Sequence, residues 1–292
     1  MKRLSLAFVI ALAVTTLAGA NPAVSRDPAQ KPAATPTPQG GRHPLQAKSQ
    51  AEFKDYNAAY AITGGAQMEA AADSFAAKYP ESELRASLYA KAMHEYQTEN
   101  NNDKMLAMGE KVLSLDPDNP VALVLTASVL ADKLTDTDPD RAQRIAEIKK
   151  NADHALETVE TGMAPPAQAT PEQIATYKNT LRSMAYSSLG ILALKTGDDS
   201  GAERDMKTAA DLIKAAPDPF VWYHLALAQD HQKKYTEALA SVEQALHYIG
   251  SNADLGELAT GERDRLRKLT GVTLQGPGPG PQAQPSPTPP PF

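Results

Sequence analysis

The chain has 292 residues, a formal net charge of −6, no cysteine, and aromatics at only 5% of the total. Without thiols it can build neither a disulfide framework nor a cysteine-ligated zinc site. Its acidity argues against nucleic acid and anionic lipid as partners, because both need a basic face, and no basic stripe with interleaved aromatics is present.

In chain order, Lys2 and Arg3 precede an apolar run from Leu4 to Leu17, and Ala18-Gly19-Ala20 offers a small-x-small cleavage site. That is the pattern of an export signal over 1–20, cut after Ala20. The run is short of the roughly 20 apolar residues that span a bilayer as a helix. Losing Lys2 and Arg3 takes the net charge from −6 to −8. The expected mature chain is periplasmic or secreted, with no stable membrane insertion. Residues 21–46 carry six prolines and almost no large apolar side chain, which predicts a disordered linker.

From 47 to 271 helix formers dominate and β-branched runs of strand length are missing. Five helical hairpins are predicted at 48–80, 82–117, 120–160, 171–215 and 218–249, followed by a last helix near 254–270. Gly64-Gly65, Tyr79-Pro80, Pro117 to Pro120, Thr196-Gly197, and Pro217 with Pro219 punctuate them. Ser200 or an aspartate beside it can cap the helix after Gly197.

The clearest signal is a repeat. Tyr186-x-x-Leu189-Gly190, then Ala202, Met206 and Ala209, is matched 36 residues on by Trp222-x-x-Leu225-Ala226, then Ala238, Val242 and Ala245. Each copy puts an aromatic, a Leu and a small residue on one side of a first helix, and an alternating small-large-small triplet on one face of a second. Upstream, Leu123 with Ala127 and Tyr89 with Ala92 and Met93 continue the first-helix pattern, and it blurs around Phe53, Tyr56, Ala59 and Tyr60. Expected second-helix counterparts are Ala71 and Phe75, then Met105, Gly109 and Val112, then Ala152, Leu156 and Val159. The long interval from Leu123 to Tyr186 makes the third and fourth hairpins longer than the others, joined by the polar stretch Thr161–Pro171.

These residues, with the turn Asp116-Pro117-Asp118-Asn119-Pro120, resemble the tetratricopeptide repeat family. Gln229 and Ala193 depart from the family pattern where a Tyr is usual, and Lys78 where a small residue is usual. The resemblance implies an all-α, right-handed solenoid of about five antiparallel hairpins with a C-terminal capping helix and disordered Pro-rich flanks. It also implies a protein or peptide partner in the concave groove lined by the first helices. By helical phase the groove candidates are Tyr56, Tyr60, His94 and Gln97, then Ser128, Asp132 and Ser187, then Lys195, Tyr223, Asp230 and His231. The lysine cluster that relatives use to clamp a terminal carboxylate is not evident.

Other constellations carry little chemistry. Asp136 to Glu147 has calcium-loop spacing, yet Arg141 stands where such a loop needs glycine. His224 and His231 lie two helical turns apart, too far to share one zinc unaided. Ser187-Ser188-Leu189-Gly190 lacks the leading glycine of a nucleophile elbow, and proline interrupts Gly276 to Gly280 where a phosphate cradle needs amides. No catalytic residue, metal or cofactor is predicted. The tail 272–292 reads as a disordered spacer whose Pro285-Ser286-Pro287-Thr288 could dock in an aromatic groove. Three functions remain: an envelope adaptor, a subunit of an outer-membrane assembly or Tol-Pal-like machine, and an enzyme with substrate-positioning repeats. The second draws on Phe75-x3-Tyr79-Pro80-Glu81-Ser82 followed by Ala86 and Tyr89, which resembles envelope repeat proteins.

Overall fold

The computed structural model describes residues 45–162 and 169–271. The expected signal, nearly all of the proline-rich linker and the C-terminal tail lie outside the described residues. The first hairpin pairs α1 (Gln50–Tyr60) with α2 (Gly65–Lys78), and the second α3 (Leu84–Thr98) with α4 (Asn102–Leu115). The third pairs α5 (Pro120–Lys133) with α6 (Arg141–Thr158), and the fourth α7 (Pro171–Thr196) with α8 (Asp199–Leu212). The fifth pairs α9 (Pro219–His231) with α10 (Tyr235–His247), and α11 (Ala253–Thr270) closes the stack. Among the described residues there are these eleven helices and no strand.

Local chemistry sets the helix ends. α5, α7 and α9 each begin with proline at the first turn, where its missing N–H costs nothing, behind Asn119, Thr170 and Asp218, whose side chains accept from backbone amides. Thr170 and Gln173 complete a capping box. Gly197 ends α7 in the left-handed region at φ 81°, and Asp198 then caps α8. α6 and α7 run to 18 and 26 residues, which takes up the long interval between the third and fourth repeats.

Every second helix buries one triplet with spacings of four and three. It is Met68, Ala72 and Phe75 in α2, Met105, Gly109 and Val112 in α4, and Ile148, Ala152 and Ala155 in α6. Ala202, Met206 and Ala209 follow in α8, and Ala238, Val242 and Ala245 in α10. The buried positions differ from the expected ones in two places. Ala72 replaces Ala71, and Ala155 displaces Leu156, which is only partly buried, because the triplet's phase follows the neighbouring helix rather than side-chain size. Small residues, in the triplets and on the first helices facing them, sit where helices cross. A Cβ on Gly190 would lie 2.8 Å from the Met206 Cε, and one on Gly109 would meet the Thr126 Oγ1 at 2.5 Å.

Each second helix also packs on the first helix of the next hairpin, while α1 touches α3, α5 touches α7 and α7 touches α9. First helices in mutual contact form the more closely spaced, inner row of the stack. Polar ties join neighbours: the Tyr89 hydroxyl donates to Asp73 at 2.7 Å and that of Tyr96 to Glu69 at 2.6 Å, holding α3 to α2. α11 buries Leu255, Ala259 and Leu266 completely against α9 and α10.

Candidate functional site

Three first helices, α5, α7 and α9, converge on a recess of about 30 Å³ on the inner row. That is room for one or two waters or the tip of one side chain. From α5 come Ser128 and Asp132; from α7 come Ser183, Met184, Ser187 and Ile191. The start of α9 adds Asp218, Phe220, Val221 and His224. The floor is apolar and the polar groups stand around it.

The protons of those polar groups can be traced. The Ser188 hydroxyl donates to the Met184 carbonyl at 2.9 Å, so the 2.9 Å contact between Ser128 and Ser188 is donated by Ser128. The Ser183 hydroxyl donates to the Ala209 carbonyl at 2.9 Å. The nearest main-chain acceptor to the His224 Nδ1 is the Phe220 carbonyl at 2.8 Å, which fixes the proton on Nδ1 and leaves Nε2 a free acceptor. Burial pushes this imidazole below its ordinary pKa although part of its surface stays open, so it is neutral at pH 7. Asp218 accepts from the Phe220 amide at 2.9 Å, and burial raises its carboxyl to about 6. Asp132 is exposed at the rim, and its carboxylate makes no hydrogen bond or ion pair among the described residues; desolvation by the surrounding protein raises it, partly opposed by Lys195. Because His224 donates to a carbonyl and Ser128 to Ser188, no serine here is paired with a base.

The other groove candidates are placed elsewhere. The Lys195 ammonium donates to the Ala131, Asp132 and Leu134 carbonyls at 2.8, 2.6 and 3.0 Å, capping the C-terminal end of α5, and burial lowers its pKa. Tyr223 is buried beneath α11, so its ring packs instead of lining open space. Asp230 is bound by Arg265 of α11 at 2.5 Å, and His231 by Asp199 at 2.8 Å. Tyr56 shares a 2.9 Å hydrogen bond with Ser87 of α3, and Tyr60 lies under the Lys91 ammonium, so both hold the first two hairpins together. His94 and Gln97 face each other at 3.3 Å, with Gln97 buried. Ser128, Asp132 and Ser187 are therefore the candidates that the fold brings to one site.

Among the packing candidates, Ala127, Ala202, Leu225, Ala226, Ala238 and Ala245 are at most 2% exposed, and Gly190 and Tyr89 are also buried. Tyr186, Leu189 and Trp222 are half-buried, and Trp222 bridges the two apolar clusters of the fourth and fifth hairpins. Gln229, where the repeat pattern favours Tyr, is buried and accepts from Ser241 at 2.7 Å. His224, weighed in the sequence only as half of a histidine pair, and Asp218, which no sequence signal marks, become site residues only where α9 lies beside α5 and α7.

The recurring triplet and stacked hairpins define a helical-repeat protein of tetratricopeptide-like architecture. Comparison with solved structures finds a thermophilic tetratricopeptide repeat protein of Thermus thermophilus, with a TM-score of 0.44 and 13% identity, covering 72% of this chain and 98% of that one. No family model and no curated protein matches the chain. Among the described residues no group of three His, Asp or Glu could hold a metal, and no helix is long and apolar enough to cross a membrane.

Proposed function

We propose that this protein is a non-catalytic adaptor of the cell envelope that holds a segment of a partner protein against its inner row of helices. The observation that carries this reading is the recess between α5, α7 and α9, an apolar floor ringed by polar groups with unused hydrogen-bonding capacity. The export pattern at residues 1–20 supports the compartment. The machine-subunit alternative draws on a motif whose residues are engaged in packing within the first two hairpins. The Phe75 and Tyr79 rings lie 4.9 Å apart, the Tyr79 hydroxyl donates to Asp55 at 2.7 Å, and Ser82 accepts from the Leu84 amide at 3.1 Å.

A photo-crosslinking residue at position 187, on the recess, is expected to capture a partner in intact cells, whereas one at the exposed Lys207 on α8 is not. Equal capture at both positions, or capture at 207 alone, would overturn the groove reading. N-terminal sequencing of the product recovered from cells tests export, with Asn21 as the expected first residue.

A further inference from the structure

The recess has a one-sided hydrogen-bond inventory. Ser128 and Ser183 have spent their protons inside the protein and present only lone pairs. His224 presents Nε2 as an acceptor, and Asp132 and Asp218 present carboxylate oxygens, those of Asp132 unpaired among the described residues. Only Ser187, which makes no hydrogen bond among the described residues, keeps a free hydroxyl proton. A ligand rich in acceptors would meet lone pair against lone pair, whereas one rich in donors would be satisfied from several sides.

Charge and size agree with the inventory. Two carboxylates face the recess; of the two lysines that act on Asp132, Lys195 has its three protons on backbone carbonyls and Lys133 is paired with Asp103. One negative charge remains uncompensated above pH about 6, where Asp218 is ionised. The recess of about 30 Å³ has room for the tip of one side chain, which matches a compact cationic head. Met184, Ile191 and Phe220 offer the apolar wall along which a methylene stem can lie.

We propose that this recess takes the cationic head of a lysine or arginine side chain carried by the partner segment, an inference that rests on the groove reading above. The probes are Nα-acetyl-arginine N-methylamide, its neutral citrulline isostere, and free arginine, each titrated into the isotope-labelled protein as produced in its host. The readouts are the NMR signals of the His224 ring and the Met184 methyl. The blocked arginine is expected to shift both, with the citrulline analogue and the Asp132→Asn variant each binding at least about tenfold more weakly, as loss of a charge-assisted contact implies. Equal binding of the citrulline analogue, or no shift with any probe, would overturn the cation site. Free arginine binding tenfold tighter than the blocked form would make this a small-molecule site and overturn the partner side chain. A partner crosslinked at position 187 without any probe shift defeats the cation anchor and leaves the groove reading standing. Cation binding with no crosslinked partner defeats the groove reading and with it the partner as the source.

Discussion

Thr126 is 1% exposed, and its Oγ1 has no hydrogen-bond partner among the described residues. A buried hydroxyl left unpaired costs about 1–3 kcal/mol, and valine keeps its shape. Thr126→Val is therefore expected to raise stability by about 1 kcal/mol in urea denaturation; a lower midpoint would show that the hydroxyl is satisfied by ordered water. Glu203 is the opposite case. Burial works to raise its pKa, but hydrogen bonds from Lys207, Lys234 and Gln232 outweigh that and hold it at about 2. The folded pKa lies below the unfolded value of 4.5, so this stabilisation is complete above about 4.5 and is lost as pH falls toward 2. Its size is about 2–4 kcal/mol. Glu203→Gln should flatten acid denaturation over that window, and an unchanged pH profile would contradict the assignment.

At the scale of elements, the triplets make crossings intolerant of added volume. Ala226 is fully buried, in the same cluster as Leu255 and Ala259 of α11. Ala226→Leu is expected to overpack this crossing and cost about 1–3 kcal/mol, read as a lowered melting temperature; an unchanged melt would disprove the crossing. α11 acts as the lid of the stack, with Leu255 and Leu266 fully buried and Arg265 bound to both Asp230 and Glu262. Deleting residues 253–271 uncovers those contacts and is expected to cost about 3–6 kcal/mol, on burial of about 1.5–3 kcal/mol per leucine. Calorimetry that finds the truncated chain as stable as the parent would show that α11 caps nothing. In a quasi-linear array, that loss should fall first on the neighbouring fifth hairpin.

Across the whole molecule, the inner row combines two unlike regions. Around α1 and α3 the aromatic and charged groups are used to hold hairpins together, as Tyr56 and Tyr60 show. Around α5, α7 and α9 the polar groups keep acceptors unused. The proposed adaptor role therefore puts partner contact on the inner row at α5, α7 and α9, and the crosslinking contrast between positions 187 and 207, on the inner and outer helices of the fourth hairpin, tests that placement. Helical phase alone reached Ser128, Asp132 and Ser187 because they lie on regular first helices whose packing face is marked by Ala127, Leu189 and Gly190. It could not reach His224 or Asp218, whose role depends on α9 meeting α5 and α7 at one recess. Nor could it show that α11 would cover Tyr223.

The helical class, the number of hairpins and their ends were all written in the chain. They depend on near neighbours, on proline at first turns, on aspartate, asparagine and threonine caps, and on Gly197 in the left-handed region. Which residue of each apolar stripe is buried was settled only when the helices packed. At 3.6 residues per turn, a shift of one position swings a side chain by more than a quarter of a turn. That is why Ala72 and not Ala71, and Ala155 and not Leu156, lie at the crossings. The same geometry made the recess, because its acceptors come from three helices that meet only after the hairpins have stacked.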